Sequence, residues 1–374
     1  MKLYKTTALW AALVLLTACG SSGNTSDTQE SASSDTSAVS DSVTSDESPE
    51  ASESEVSSAA EETEIDTETT AILTNSMEYN ISSLKGPTTM GMVKLMSDSE
   101  KGETFNKYNV TIHGTADEIV TGIVSGSTDI ANVPANLAAV LYNKTEGNIK
   151  TAAVNTLGVI YVVTSGEEIT SVADLKGKTV YSTGKGTTPE YVLNYILRQN
   201  GLEPQTDVAI EYKSEASECA AVMAESENAI AVLPQPYVTA AQLQNENIKI
   251  ALSLTDEWDK VSDTPLITGV TIAQKNVIEE NTVAFADFIG EYQASVDFVN
   301  ENMDEAAELI GNYDIVKAPV AKKALPYCNI TLLRGEDMRS AVTGYWNILF
   351  DADPKSVGGK LPADDAFYTE MIHE

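Results

Sequence analysis

Threonine, serine and glycine cluster where predicted strands pass into predicted helices. Such turns place hydroxyl donors beside the free N–H groups of a helix start, where the helix dipole favours an anionic or strongly polar acceptor. Helix capping alone explains any single turn, but so many turns at one sheet edge favour a shared binding site for a polar or anionic ligand. The turns are residues 85–90, 113–115, 133–136, 155–158, 184–188 and 233–237.

Four side chains in these turns are candidates for ligand contacts. They are His113, Thr156, Lys185 and Tyr237, the last of which offers an aromatic ring for stacking. The stretch Gly-Lys-Gly-Thr at 184–187 lacks the spacing of a Walker phosphate loop. Lys185 is therefore either a contact for an anionic ligand or a solvated loop lysine.

The residues that catalysis or metal binding would need are scarce. No Gly-x-Ser-x-Gly elbow occurs, and His113 and His373 are the only histidines. Neither cysteine nor histidine has metal-ligand spacing. We therefore predict no catalytic residue, no metal and no cofactor. Asp117, Glu118 and Glu190 are better explained as carboxylates at helix starts than as an acid/base pair.

Two helix starts carry the spacing of a capping box, Thr115 with Glu118 and Thr187 with Glu190. In the helix that follows Thr115, apolar residues at helical spacing predict a buried face, and Gly126 is predicted to end the helix. The predicted buried face consists of Ile119, Val120, Ile123 and Val124.

Trp258 either lines the ligand cleft or packs in the interior, and packing is the simpler interpretation.

Strand and helix signals alternate from residue 78 to about residue 273, and the remainder is predicted to be mostly helical. This alternation indicates an α/β fold with parallel sheets covered on both faces. About 300 residues outside the N-terminal region suit two domains of ordinary size. Cys219 and Cys328 are far apart in the sequence, which favours two buried free thiols over a disulfide.

The N-terminus has the three parts of a secretory signal. Lys2 and Lys5 precede an apolar run at 8–16, and small residues lead to Cys19. The run is about half the roughly 20 residues that a membrane-spanning helix needs. We predict a signal peptide at 1–18 and therefore an extracytoplasmic protein. An ordinary signal that happens to end near a cysteine is the alternative to a lipoprotein signal.

Residues 19–77 are predicted to form a disordered acidic tether that begins at Cys19. Between Gly20 and Thr70 there are 14 Asp and Glu residues and no Lys, Arg or aromatic residue. Such a segment buries too little apolar surface to offset the entropy of ordering. The formal net charge of the whole chain is −33. This charge argues against a nucleic-acid partner and against docking on anionic lipid.

Several motifs resemble a subgroup of ABC-transporter solute-binding lipoproteins common in Gram-positive bacteria. The resemblance covers residues 78–368 and extends to the nitrate, sulfonate, taurine and thiamine-precursor receptors of the type II periplasmic-binding fold. The end of the signal, Leu-Thr-Ala-Cys at 16–19, resembles the bacterial lipobox. The other motifs are Leu-Lys-Gly-Pro-Thr-Thr-Met-Gly-Met-Val-Lys-Leu-Met at 84–96, Asp-Ile-Ala-Asn-Val-Pro-Ala-Asn-Leu-Ala at 129–138, Asn-Thr-Leu-Gly-Val at 155–159, Val-Ala-Asp-Leu-Lys-Gly-Lys at 172–178, Leu-Pro-Gln-Pro at 233–236 and the stretch 351–362.

The resemblance implies an α/β clamshell of two lobes that closes on a solute by hinge motion. Lobe one would comprise 78–157 plus 268–374, lobe two 165–265, and the hinge strands 158–164 and 266–273. The expected partners are a small polar or anionic solute, an ABC permease and the membrane, reached through lipid on Cys19, and we expect a monomer. The ligand contacts implied by the resemblance are Thr88, Thr89, Asn136, Thr187, Thr188 and Gln235.

Two alternatives to solute delivery remain open at this point. The pyrimidine synthases of thiamine biosynthesis resemble the wider group, but they depend on a catalytic histidine and a cysteine-rich iron-binding motif. A cysteine cluster of that kind is not present in this sequence. A surface sensor that presents its solute to a signalling partner needs the same clamshell, so the sequence does not separate sensing from transport.

Overall fold

The structure of the protein is a computed structural model that describes residues 76–369. All of these residues belong to the unit Glu64–Glu374, and the unit Met1–Thr63 lies outside them. The predicted signal peptide, Cys19, almost all of the predicted tether and His373 therefore lie outside the described residues. Within residues 76–369, no helix is both long enough and apolar enough to cross a membrane.

Most strands lie where apolar, β-branched runs predict them. In β3, for example, all five residues are buried, as expected of a central strand covered on both faces. The strands are β1 (Glu78–Leu84), β2 (Lys107–His113), β3 (Ile130–Pro134), β4 (Ile149–Leu157), β5 (Ile160–Ser165), β6 (Thr179–Ser182), β7 (Ala209–Tyr212), β8 (Ala229–Pro234), β9 (Ile248–Ser253), β10 (Ile267–Gln274) and β11 (Ile330–Leu333).

The strands form two sheets. The first has six strands in the order β11-β4-β10-β3-β1-β2, and the second has five in the order β7-β6-β8-β5-β9. In the first sheet β1, β2 and β3 are parallel, and β10 runs antiparallel to both β3 and β4. In the second sheet β6, β7 and β8 are parallel, and β5 runs antiparallel to β8 and β9.

The alternation predicted parallel sheets, and both sheets are in fact mixed, because each contains at least one antiparallel strand. The cause is the path of the chain between the sheets. β4 ends at Leu157 in the first sheet, and β5 begins at Ile160 in the second, opposite Pro234 at the carboxyl end of β8. A strand that enters at the carboxyl edge of its neighbours must run against them.

Glycine is required where the chain crosses between the sheets. Gly158 lies between β4 and β5, and a Cβ on it would clash with the side chain of Thr255. Since any other residue carries a Cβ, Gly158 allows the two segments to approach closely.

The helices cover both sheets, and most match the predicted periodic segments. Short 3₁₀ helices lie at Val172–Leu175, Leu325–Tyr327, Pro354–Val357 and Asp364–Ala366. The α-helices are α1 (Pro87–Met90), α2 (Val93–Lys101), α3 (Ala116–Ser125), α4 (Ala135–Lys144), α5 (Thr188–Gln199), α6 (Ala216–Glu225), α7 (Tyr237–Gln244), α8 (Leu254–Asp259), α9 (Lys275–Glu280), α10 (Thr282–Glu301), α11 (Met303–Asn312), α12 (Ala318–Ala324) and α13 (Gly335–Ala352).

Neither predicted capping box forms, although the expected threonines, Thr115 and Thr187, are the N-cap residues of α3 and α5. The Thr115 and Thr187 side chains accept no hydrogen bond from their helices. Thr187 Oγ1 instead donates to the Gly184 carbonyl oxygen at 2.6 Å. Glu118 lies 3.0 Å from Nδ1 of His113 and so does not reach back to its own N-cap. The capping-box spacing therefore predicted where the two helices start but not the hydrogen bonds that the threonine and glutamate side chains form.

The predicted buried face of α3 is only partly correct. Ile119 and Ile123 are buried, whereas 49% of Val124 is exposed because it faces away from the sheet. Gly126 ends the helix with φ +76°, a left-handed conformation that glycine adopts without strain. The sequence also missed α6, α8, α9 and β11, which are short elements of four to ten residues.

A buried polar network joins four adjacent strands of the first sheet. Asn132 on β3 donates through Nδ2 to Ser83 Oγ on β1 at 3.1 Å. Asn155 on β4 donates to Asn132 Oδ1 and to Thr271 Oγ1 on β10, both at 3.1 Å. All four side chains are at most 1% exposed. Because buried polar groups are costly when unpaired, this network fixes the relative positions of the strands.

Cys219 and Cys328 are free and buried, as predicted. Cys219 packs with α7 and strands of the second sheet, and Cys328 packs in the apolar core on one face of the first. Burial raises the pKa of each thiol to about 12, so both stay protonated and unreactive near neutral pH.

Asn155→Ala is expected to lower the free energy of unfolding by about 1–3 kcal/mol, because it leaves buried partners such as Thr156 Oγ1 without their hydrogen bond. Urea unfolding measures the change. The control is Asn109→Ala, which removes an exposed hydrogen bond to Glu78 and should change stability by less than about 0.5 kcal/mol. Equal stability of the two variants would contradict this role for the network.

Candidate functional site

The carboxyl ends of the parallel strands in both sheets meet around one cavity of about 380 Å³. Leu84, Pro134 and Thr156 line it from the first sheet, and Thr183 and Pro234 line it from the second. The pairing of Leu84 with His113 puts the ends of β1 and β2 at the same edge. Because β5 begins at the carboxyl edge of the second sheet, the crossing at 158–159 brings the two edges together.

The first residues of four helices line this cavity. They are Ala116 of α3, Thr188 of α5, Ala216 of α6 and Tyr237 of α7. The first N–H groups of a helix have no partner within it, and the N-cap side chain bonds to none of these four helices. At the start of α7, however, Gln235 Oε1 accepts from Thr239 N. Their dipoles therefore make the cavity favourable for negative charge.

Three lysines add positive charge to the lining. Lys85 lies 3.8 Å from the exposed carboxylate of Asp314. The ammonium groups of Lys185 and Lys213 lie 5.9 Å and 5.0 Å from the ring centres of Tyr212 and Tyr181. Within the described residues neither of these two lysines forms an ion pair, so both are available to a ligand.

Hydroxyl groups in the lining are likewise available. Thr183 and Tyr237 are 8% and 9% exposed, and within residues 76–369 neither side chain forms a hydrogen bond. Thr268 Oγ1 is buried without a partner. Burial, together with the charge of Glu215, raises the pKa of Tyr237 to about 12, so its hydroxyl remains a donor at neutral pH. These groups are satisfied only by a polar ligand or by water.

Six of the ten side chains expected to contact the ligand line the cavity, and four do not. His113 is turned toward Glu118, and Thr89 is buried against Ser83, with 2.6 Å between their hydroxyl oxygens. Gln235 Oε1 accepts from Thr239 N and Oγ1 at 3.3 and 2.9 Å. The six in the lining are Thr88, Thr156, Lys185, Thr187, Thr188 and Tyr237.

The fourth residue outside the lining, Asn136, ties together segments that flank the cavity. Its Nδ2 atom donates to the carbonyl oxygens of Gly186 at 3.2 Å and Ser356 at 3.0 Å. Its Oδ1 atom accepts from Thr188 Oγ1 at 3.4 Å. Asn136 thus links the start of α4 to the turn before α5.

The sequence missed the turn after β7, which contributes Lys213, Ser214 and Glu215 to the lining. The reason is that helix α6, which this turn begins, was itself not recognised. A turn of polar residues between a strand and Ala216–Glu225 would have been the signal. Asp117 lines the cavity as well, although its sequence position indicated only a helix start.

Trp258 does not line the cavity. It is fully buried, and its ring centre lies 5.0 Å from that of Tyr195 and 5.6 Å from that of Tyr345. Its Nε1 atom donates to the Thr264 carbonyl oxygen at 2.6 Å. Trp258 packs in the interior, so Tyr237 alone remains of the two aromatic candidates.

Within residues 76–369, no group of three or more His, Cys, Asp or Glu side chains is placed to hold a metal ion. What the cavity offers is helix starts, lysines and hydroxyls, which bind and orient a solute. The arrangement is that of a binding site for a small solute.

The comparisons with known proteins agree with this arrangement. Residues 103–293, slightly more than half of the chain, match the family described as ABC transporter, phosphonate, periplasmic substrate-binding protein. The chain belongs to this family. Its members are solute-binding components of ABC transporters, so a small solute and a permease are its partners and its place is outside the cytoplasm. No curated protein matches the chain.

Solved structures show the same fold. An ABC transporter protein from Parabacteroides distasonis is 23% identical with a TM-score of 0.65, covering 78% of this chain and 99% of that chain. The alkanesulfonate-binding protein SsuA from Xanthomonas axonopodis pv. citri, bound to MOPS, is 12% identical with a TM-score of 0.64 over 78% and 98% of the two chains. The aliphatic sulphonate binding protein SsuA from Escherichia coli is 18% identical with a TM-score of 0.63 over 78% and 92%. The fold is the two-lobed type II periplasmic-binding fold expected from the sequence.

Gly269→Ala is expected to destabilise the packing behind the lining residues Thr88 and Thr156. A Cβ on Gly269 would lie 2.6 Å from Asn155 Oδ1 and would clash with Thr88 Cγ2. Overpacking of this kind costs about 1–3 kcal/mol in the free energy of unfolding, which urea titration measures.

The matched control is Gly290→Ala in the exposed interior of α10, where a Cβ meets nothing within 4 Å. That change should stabilise the protein by about 0.5–1 kcal/mol because alanine is the better helix former. If both variants gain stability, the close packing of Gly269 against Thr88 and Asn155 is refuted.

Proposed function

We propose that the cavity binds a small solute through an anionic group placed at the starts of α5 and α6, beside Lys185 and Lys213. The convergence on one cavity of three helix starts without a side-chain cap, those of α3, α5 and α6, carries this proposal. Backbone N–H groups at helix starts are already oriented to donate hydrogen bonds to phosphonate, sulfonate or carboxylate oxygens, so binding needs no conformational change. Thr183 and Tyr237 would donate further hydrogen bonds.

The charge of the cavity differs from that of the whole chain. The chain has a formal net charge of −33, whereas the cavity lining contains three lysines and two carboxylates. Charges in the lining act on a bound solute at close range, while exposed charges beyond about 10 Å are screened by salt. The acidic surface therefore does not prevent an anionic group from binding in the cavity.

The names of similar proteins also support an anionic group on the solute. The description of the family names phosphonate, and two of the similar structures are named for alkanesulfonate and aliphatic sulphonate. Both kinds of molecule combine an anionic head with an apolar part. In this cavity Leu84, Val159 and Ile160 would contact the apolar part.

We further propose that the protein releases its solute unchanged, as a component of transport. The charged and hydroxyl groups of the cavity are distributed around its lining, and His113, the one histidine among the described residues, is turned toward Glu118. Lobe two (165–265) would close on lobe one (78–157 plus 268–374) to hold the solute and would open to release it, with the chain bending near Gly158. The short crossing at 158–159 supports this position for one hinge.

Lipid attachment at Cys19 is the proposed means of retention at the membrane. Cys19 follows an apolar run and small residues, as a lipoprotein signal requires. More than one acyl chain is needed for stable anchoring. The acidic segment that follows would keep the binding domain away from the membrane surface, and the protein would act there as a monomer.

The double variant Lys185→Met, Lys213→Met is expected to bind an anionic solute at least about tenfold more weakly, because each lost charge-assisted hydrogen bond is worth about 1.5–3 kcal/mol. A thermal-shift screen of phosphonates, sulfonates and carboxylates identifies the solute, and isothermal titration then measures Kd. At 100 times its Kd, a true ligand adds about 2.7 kcal/mol of stability.

Lys323→Met serves as the control, since Lys323 is exposed in the last turn of α12 and does not line the cavity. It should bind with the Kd of the unmodified protein. Unchanged affinity in the double variant, or an equal loss in the control, would contradict an anionic head at the proposed position.

Cys19→Ala is expected to move the protein from the membrane fraction to the medium and to abolish incorporation of labelled palmitate in a bacterial host. Ser22→Ala, three residues further on, is the control and should leave both unchanged. Retention of the Cys19→Ala protein in the membrane fraction would argue against lipid attachment at this residue.

A further inference from the structure

Asn136 is buried outside the cavity lining, and its side chain bonds to two different parts of the fold. The residue is 0% exposed and lies in the first turn of α4, which follows β3 of the first sheet. Its Nδ2 atom donates to the Ser356 carbonyl oxygen at 3.0 Å and to the Gly186 carbonyl oxygen at 3.2 Å. Gly186 belongs to the turn that joins β6 of the second sheet to α5. One amide group therefore links the parts of the chain that carry the two sheets.

On the side of the first sheet, Asn136 is held in place by buried hydrogen bonds. Trp346 Nε1 on α13 donates to the carbonyl oxygen of Ala135, the residue before Asn136, at 2.9 Å. Ser356 Oγ donates to the Leu349 carbonyl oxygen, also on α13, at 3.1 Å. These bonds involve no residue of the second sheet. They hold Asn136 whether or not the turn before α5 lies against it.

The partner of Asn136 on the side of the second sheet is the turn that carries Lys185 into the cavity lining. Inside this turn Thr187 Oγ1 donates to the Gly184 carbonyl oxygen at 2.6 Å. The backbone N–H of Gly186 donates to Glu190 Oε2 at 2.5 Å. Because the turn is bonded internally, a contact at its middle residue fixes the position of the whole turn.

Thr188 adds a second hydrogen bond between Asn136 and this region. Its Oγ1 atom donates to Asn136 Oδ1 at 3.4 Å, and both residues are 0% exposed. Thr188 is the first residue of α5, the helix start that is proposed to bind the anionic group. Asn136 thus contacts both the turn that carries Lys185 and the start of α5, and it does so from behind the lining.

A second asparagine on α4 bonds on one side only. Asn143 Nδ2 donates to the carbonyl oxygens of Val357 at 2.8 Å and Lys360 at 2.7 Å. Both acceptors lie in the C-terminal segment that also contains Ser356. Asn136 and Asn143 are seven residues apart, about two helical turns, and so lie on the same face of α4. The two amides differ in that only Asn136 reaches the second sheet.

We propose that Asn136 is a positioning residue for solute binding, which holds the turn before α5 against the first lobe when the two lobes are closed. This rests on the proposed function, in which the lobes close on the solute. Opening would break the bonds of Asn136 to Gly186 and Thr188 and leave its bond to Ser356 intact. Since buried polar groups are stabilised by their partners, these bonds favour the closed form. Apparent affinity falls as the closed fraction falls.

Distances between spin labels on the two lobes test this inference without a solute. Labels on Thr121→Cys and Ala221→Cys, in the Cys19→Ala protein, occupy exposed positions on α3 and α6. The starts of these helices are adjacent, since an ideal Cβ on Gly114 would lie 2.9 Å from Glu215 Oε1. Both cysteines of the described residues are buried and stay unlabelled. Pulsed electron paramagnetic resonance then measures the ratio of open to closed protein.

Asn136→Ala is expected to raise the ratio of open to closed protein at least about fivefold, which corresponds to about 1 kcal/mol. Thr188→Val, which removes only the bond between the two side chains, should raise it by less. The matched control is Asn143→Ala, which also removes two hydrogen bonds from α4 but should leave the ratio unchanged. Thermal unfolding of each variant checks that it is folded.

Binding kinetics separate a positioning role from a general loss of stability. The probes are methylphosphonate, ethanesulfonate and propanoate, and stopped-flow tryptophan fluorescence measures their rates. Asn136→Ala should raise the dissociation rate at least about fivefold with the association rate within about twofold, because the solute enters the open form and leaves after opening. Asn143→Ala should leave both rates unchanged.

The outcomes distinguish this inference from the proposed function. Unchanged distances and an unchanged dissociation rate in Asn136→Ala overturn the role of Asn136 and leave the anionic site standing. Equal opening in Asn136→Ala and Asn143→Ala also overturns it, because the effect would then follow from lost stability of α4. Failure of all three probes to bind contradicts the anionic site, while the spin-label distances still decide whether Asn136 holds the lobes together.

Discussion

The site depends on one constraint, the crossing of the chain from β4 to β5 through two residues at 158–159. Since β4 ends and β5 begins there, the carboxyl edge of each sheet must face the other. Helices that follow parallel strands then start at this shared edge, with their N–H groups toward the cavity. Gly158 permits the crossing, because a Cβ would clash with Thr255. The positive character of the cavity is thus a consequence of chain path before any lysine is considered.

Rigid support and available charge are combined in this site. Behind the lining, the network of Asn132, Asn155 and Thr271 satisfies its polar groups internally. In the lining, Lys213 forms no ion pair and the Tyr237 side chain no hydrogen bond within the described residues. This division is expected of a binding protein, in which the supporting groups are preorganised and the contacting groups are completed by the solute.

Much of the fold could be predicted from the sequence. β6, Thr179–Ser182, has the predicted bounds, and α5 begins at the threonine that its proline indicated. The direction of β5 and β10 could not be predicted, because alternation of strands and helices continues unchanged where the chain changes sheet. Turn chemistry and the family resemblance together predicted six residues of the lining, but the contacts of His113 and Asn136 depend on Glu118 and Ser356, and the second of these is remote in sequence. The turn at 213–215 was missed with the helix that follows it.

The central claim is that a solute binds between the two carboxyl edges with its anionic group at the helix starts. A crystal structure of the protein with its highest-affinity solute tests this most directly. The account predicts oxygen atoms of the solute within about 3.2 Å of the backbone N–H groups of Thr188 or Ala216, at hydrogen-bond distance. It also predicts that the solute is enclosed by residues of both sheets. A solute bound elsewhere, or one whose anionic group points away from these helix starts into solvent, would contradict it.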